Sequence, residues 1–107
     1  MSDFNREACQ SVLNEVLEDR RYRRTYYGER NFPDGTGEFY EPEFRSADRG
    51  VRYQREQGTL AWRDLLMRAA IGATCQTDPE DLRDELVELA SLVVEWIEAI
   101  DRREGEA

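Results

Sequence analysis

Glu85 and Glu88 stand three residues apart in a run of helical periodicity, so their carboxylates share one helix face. A pair of that kind could hold a hard cation such as Mg²⁺, with further acids from a neighbouring helix, and present a phosphate to water. Asp64 is the further carboxylate placed to join them. Other chemistries fall away. The chain has no histidine, and so lacks the commonest general base, the commonest transition-metal ligand and any Ser–His–Asp group. No glycine-rich phosphate loop with its lysine is present, and no Cys or His spacing of a metal site. Cys9 and Cys75 are unpatterned and read as buried thiols rather than a disulfide. By pattern alone Glu85 and Glu88 belong with Asp81, Asp84, Glu95 and Glu98 on a solvated face, although Glu85 falls at the border of the apolar arc.

The elements that position these residues are all helical. Ser2 is expected to cap a helix from near Asp3 to about Arg24, with Phe4, Ala8, Val12 and Val16 in one apolar row and Cys9, Leu13 and Leu17 beside them. Residues 25–42 carry Gly28, Pro33, Gly35, Gly37 and Pro42 and predict a loop. Its aromatic rings, Tyr26, Tyr27, Phe32, Phe39 and Tyr40, predict an ordered loop packed onto the helices rather than a disordered linker. Residues 43–57 have a weaker helical pattern through Phe44, Ala47, Val51 and Tyr53, interrupted by Gly50. Gly58 ends that segment, and Thr59 is expected to cap the next. The last helix opens with Asp78 as cap and Pro79 at its first position, and runs through Leu82, Leu86, Leu89, Val93, Trp96 and Ile100. A second row, Val87, Ala90, Val94 and Ile97, widens its apolar arc beyond what one small neighbour covers, which predicts a second subunit. Residues 103–107 predict a frayed tail.

With 107 residues, 39% hydrophobic and 36% charged, the chain predicts one all-α domain over residues 1–107, a bundle of three to four helices that forms oligomers. A net charge of −9 disfavours nucleic acid. No apolar run reaches the roughly 18 residues of a membrane span. The first residues lack the basic and apolar regions of a signal peptide, so a cytoplasmic protein is expected. The run RRYRR at 20–24 stands out on so acidic a chain, and reads first as a solvated helix face.

Three stretches, YGERNFPDGTG at 27–37, TLAWRDLL at 59–66 and DPEDLRDELVELASLVVEWIEAIDRR at 78–103, resemble in order a group of small MazG-like proteins. These are all-α nucleoside triphosphate pyrophosphohydrolases of bacteria and their phages. The resemblance covers most of the chain. It implies a phage or prophage origin, helices paired into dimers or tetramers, and sites within the bundle. In that family one helix carries Glu-Glu-x-x-Glu and a later helix Glu-x-x-Asp, and these acids hold the Mg²⁺ that binds the triphosphate.

Against that pattern the segment after WRDLL departs sharply. The three acids of the first motif would fall at Arg68, Ala69 and Gly72, and from 65 to 73 Arg68 is the one charge. The second motif survives as Glu85-x-x-Glu88. An arginine beside a divalent ion costs several kcal/mol at an effective dielectric near 20, on the order of what opposite charges gain at that separation. The resemblance therefore implies a degenerate member, without metal or other cofactor, that binds a nucleotide signal or a host protein and sequesters or inhibits it without turnover. Arg68, Tyr27, Arg30, Asn31 and Trp62 are the candidate ligand contacts; Arg68 alternatively is an exposed helix charge with its stem on apolar surface. Two other expectations compete. One is an active Mg²⁺-dependent hydrolase using Asp64, Glu85 and Glu88, with Asp81 or a neighbouring subunit's acids. The other is a structural oligomer without ligand.

Overall fold

The computed structural model describes residues 3–106. Its elements are four α-helices, α1 (Arg6–Tyr27), α2 (Glu41–Gln57), α3 (Trp62–Thr74) and α4 (Pro79–Glu106), with a 3₁₀ turn at Glu38–Tyr40 leading into α2. No strand occurs among the described residues, so the all-α expectation is met. Among the described residues no helix is long and apolar enough to cross a membrane.

The helix boundaries follow from caps, and several differ from the sequence expectation. Ser2 lies outside the described residues. Asn5 is the cap of α1: its side-chain oxygen accepts the Ala8 N–H at 3.0 Å. The helix then runs past Arg24 to Tyr27, because Gly28, at φ 71°, is the first residue with the freedom to turn the chain out. Pro42 does not prolong the loop but sits in the first turn of α2, where its missing N–H has no partner to lose. Thr59 caps nothing ahead of it; its N–H goes back to the Gln54 carbonyl at 2.9 Å and closes α2. The cap residue of α3 is Ala61, whose N–H is accepted by the Asp64 carboxylate at 3.0 Å. Asp78 caps α4 as its sequence requires, accepting the Asp81 N–H at 3.0 Å. The tail expected to fray is helical through Glu106.

The chain divides into two compact units, one of residues up to Pro33 together with those from Val94 on, the other Asp34–Val93. In the first, Val12, Val94 and Ala99 are buried. Leu13, Val16 and Leu17 of the expected α1 stripe are left exposed. In the second, α2 packs along α3, with Val51 fully enclosed and Ala73 and Leu82 buried. The aromatic loop does not pack as expected: Tyr26, Tyr27, Phe32 and Phe39 are exposed, and only Tyr40 and Phe44 are half-covered. On α4 the expected seam is only partly used. Leu82 is buried, Leu89 and Trp96 are half-buried, and Leu86, Val93 and Ile100 are exposed, as is Val87 of the second row.

Candidate functional site

Within the second unit a cavity of about 430 Å³ opens between α2, α3 and the first turns of α4. Its α3 wall is Arg68, Ala69 and Gly72, whose spacing puts them on one helix face. The opposite wall is Glu85 and Glu88. The five positions singled out from sequence therefore meet around one volume. Sequence alone did not place the α2 wall, Glu41, Phe44 and Arg45, or the floor at Cys75 and Gln76.

Gly72 lets the walls approach. A β-carbon there would lie 3.1 Å from Cε1 and 3.3 Å from Cδ1 of Phe44, and 3.6 Å from a Glu85 carboxylate oxygen. The Gln76 amide donates to the other Glu85 oxygen at 3.0 Å. Burial raises the Glu85 carboxyl above its ordinary range, the neighbouring Glu88 adds to the rise, and the Gln76 hydrogen bond opposes it. The Cys75 thiol donates to the Ile71 carbonyl at 3.4 Å and is held protonated, by burial first and by the Glu41 and Glu85 charges second.

Arg68 is neither a loose surface charge nor an unengaged phosphate contact. Its guanidinium reaches Asp48 of α2 at 3.3 Å, with both side chains largely shielded, and so ties α3 to α2. Asp48 also accepts from Arg52 one turn on. The Arg52 hydrogen bond, and then that of Arg68, hold its carboxyl below the ordinary range against the opposing effect of desolvation. Arg45 pairs with Glu41 at 3.8 Å. Both guanidiniums of the cavity are thus bonded to carboxylates, while among the described residues Glu85 and Glu88 have no cation within ion-pair distance.

The other candidates lie elsewhere. The Asp64 carboxylate is occupied in capping α3 and does not line the cavity. Trp62 stands half-buried in the first turn of α3. Tyr27 and Arg30 belong to the other unit, where the guanidinium stacks 4.4 Å from the Tyr27 ring centre and 6.0 Å from that of Phe32. Asn31 beside them is exposed.

The donor set does not fit a Mg²⁺–triphosphate complex. Glu85 and Glu88 of α4 share the cavity with Glu41 of α2, whose carboxylate pairs with Arg45, and the α3 wall offers arginine and alkyl groups where further hard oxygen ligands would be needed. Among the described residues no three of Asp, Glu, Cys or His gather as a metal-holding group. No protein-family model, curated protein or solved structure matches the chain.

Proposed function

We propose that this chain is a catalytically degenerate MazG-like protein that acts by binding, without turnover, as a homo-oligomer. One observation carries the reading: Arg68, Ala69 and Gly72 line the same cavity as Glu85 and Glu88, so the resemblance and the geometry meet at one place whose ligands for a divalent ion are depleted. The test is pyrophosphate release with Mg²⁺ over a panel of nucleoside triphosphates. No release is expected, and steady release above a no-enzyme control would refute the proposal. Restoring carboxylates should raise Mg²⁺ affinity. Arg68→Glu with Ala69→Glu is the feasible pair, since any side chain at 72 must first displace Phe44.

The bound partner is best read as a protein. The cavity presents three glutamates against two arginines, each already paired, which opposes a triphosphate. Exposed apolar residues on α1 and α4, by contrast, suit a protein surface. A nucleotide remains the second reading, favoured by the cavity's volume, which is in the range of small-ligand sites, and by the Phe44 ring on its wall. Thermal shift in chelator separates the two: a melting temperature raised by a nucleotide supports the second reading.

A further inference from the structure

Two charge imbalances stand on this chain, one on each unit. Among the described residues Glu85 and Glu88 have no cation within ion-pair distance. Residues 20–32 carry five arginines against one glutamate on a chain of net charge −9. Arg21 and Arg23 pair with acids of their own helix, and Arg24 meets Glu29 at 4.0 Å. Arg20 and Arg30 make no ion pair among the described residues. Around them Tyr22, Tyr26 and Phe32 are 65%, 70% and 75% exposed. Exposed tyrosine with arginine is the composition of interface cores, where large rings add contact area at little entropic cost. Beside the cavity, Leu86 and Val87 are 47% and 54% exposed.

We propose that the occupant of the Glu85–Glu88 cavity is a second copy of this chain, which seats its arginine–tyrosine stretch there and completes the cavity with its own guanidiniums. The proposal rests on the homo-oligomer reading above and names its contact. In a two-fold dimer the exchange is reciprocal, each copy giving a basic stretch and receiving one, so both imbalances are cancelled and the assembly closes. The guanidinium suits the role, since it forks onto carboxylates and stacks on rings. An acidic partner protein would satisfy only the arginines and leave the glutamates unpaired.

Sedimentation velocity on charge-reversed variants tests this. One variant carries Arg20→Glu and Arg30→Glu; the other carries Glu85→Gln and Glu88→Arg. Wild type is expected to be dimeric, with association weakened at high salt. Each variant alone then sets like charge against like, and its dissociation constant should rise at least tenfold. An equal mixture should recover dimer, because each altered surface finds its complement on the other chain; such recovery also shows that both variants are folded. Variants that dimerise alone as well as wild type, or a mixture that stays monomeric while circular dichroism shows both helical, would overturn the contact and leave the oligomer reading standing. A monomeric wild type would overturn both.

Discussion

Gly72→Ala is the sharpest probe of how the cavity is built. Two effects of similar size oppose each other. Alanine in place of glycine within a helix gains about 1 kcal/mol. The new β-carbon would lie 3.1 Å from Phe44 Cε1, closer than side chains normally approach, and forcing a methyl into a tight core costs about 1–3 kcal/mol. The outcome depends on whether the ring can give a few tenths of an ångström. Phe44 is half-buried and borders an open volume of about 430 Å³, so it has somewhere to go. The variant should therefore fall within about 1 kcal/mol of wild type in urea unfolding, the helix gain offsetting the ring's displacement. A loss beyond about 2 kcal/mol would show that the ring is clamped and that the cavity cannot adjust. A double-mutant cycle with Phe44→Leu sharpens the assay: the two changes should couple favourably, because the smaller residue removes the contact that alanine creates. Additive effects would mean that Phe44 is not what the new methyl meets.

Three further outcomes follow from the same contacts. The raised Glu85 carboxyl makes the folded state favour the proton, so its stabilising contribution is present at acid pH and lost as pH rises through its folded value; Glu85→Gln should raise the melting temperature at neutral pH and change it little in acid. Asp48 has the opposite sign: its lowered carboxyl stabilises the fold above the ordinary aspartate range and ceases to as pH falls, so Asp48→Asn should flatten the acid limb of a stability–pH curve, and Arg68→Ala added to it should cost little more. Val51→Ala empties a fully enclosed position and should cost about 2–3 kcal/mol in urea unfolding, more than any single exposed residue of α1.

What could be read from the sequence was local. Asp78 and Pro79 begin α4 because a cap and a missing N–H act within one turn. The all-α class followed from periodicity, also a short-range property. The boundary of α1 was misjudged because a change of residue type at Arg24 does not end a helix, whereas the positive φ at Gly28 does. Thr59 and Ala61 show the same weakness: Thr59 has the right chemistry for a cap but is occupied backwards by Gln54, and an alanine with no capping side chain precedes α3, served instead by Asp64. For the site, the grouping of Arg68, Ala69 and Gly72 with Glu85 and Glu88 was accessible through the resemblance. The Asp48–Arg68 bond was not, since it joins residues twenty apart that share no helix face and leave no periodic trace. The Asp48–Arg52 and Glu41–Arg45 pairs are i,i+4 partners and were open to sequence reading.

The pairing of Arg68 bears on the proposed loss of a metal site. Arg68 lines the same cavity as Glu85 and Glu88 but is within ion-pair distance of neither. Instead it turns to Asp48, which already holds Arg52, and the two glutamates remain uncompensated. Glu85 is half-buried beside the exposed Glu88, and burial first and the Glu88 charge second raise its carboxyl. On the proposed dimer contact the pair is opposed by a charge from the second copy. Arg20 and Arg30, which make no ion pair among the described residues, are carried by every copy and have the required sign and chemistry.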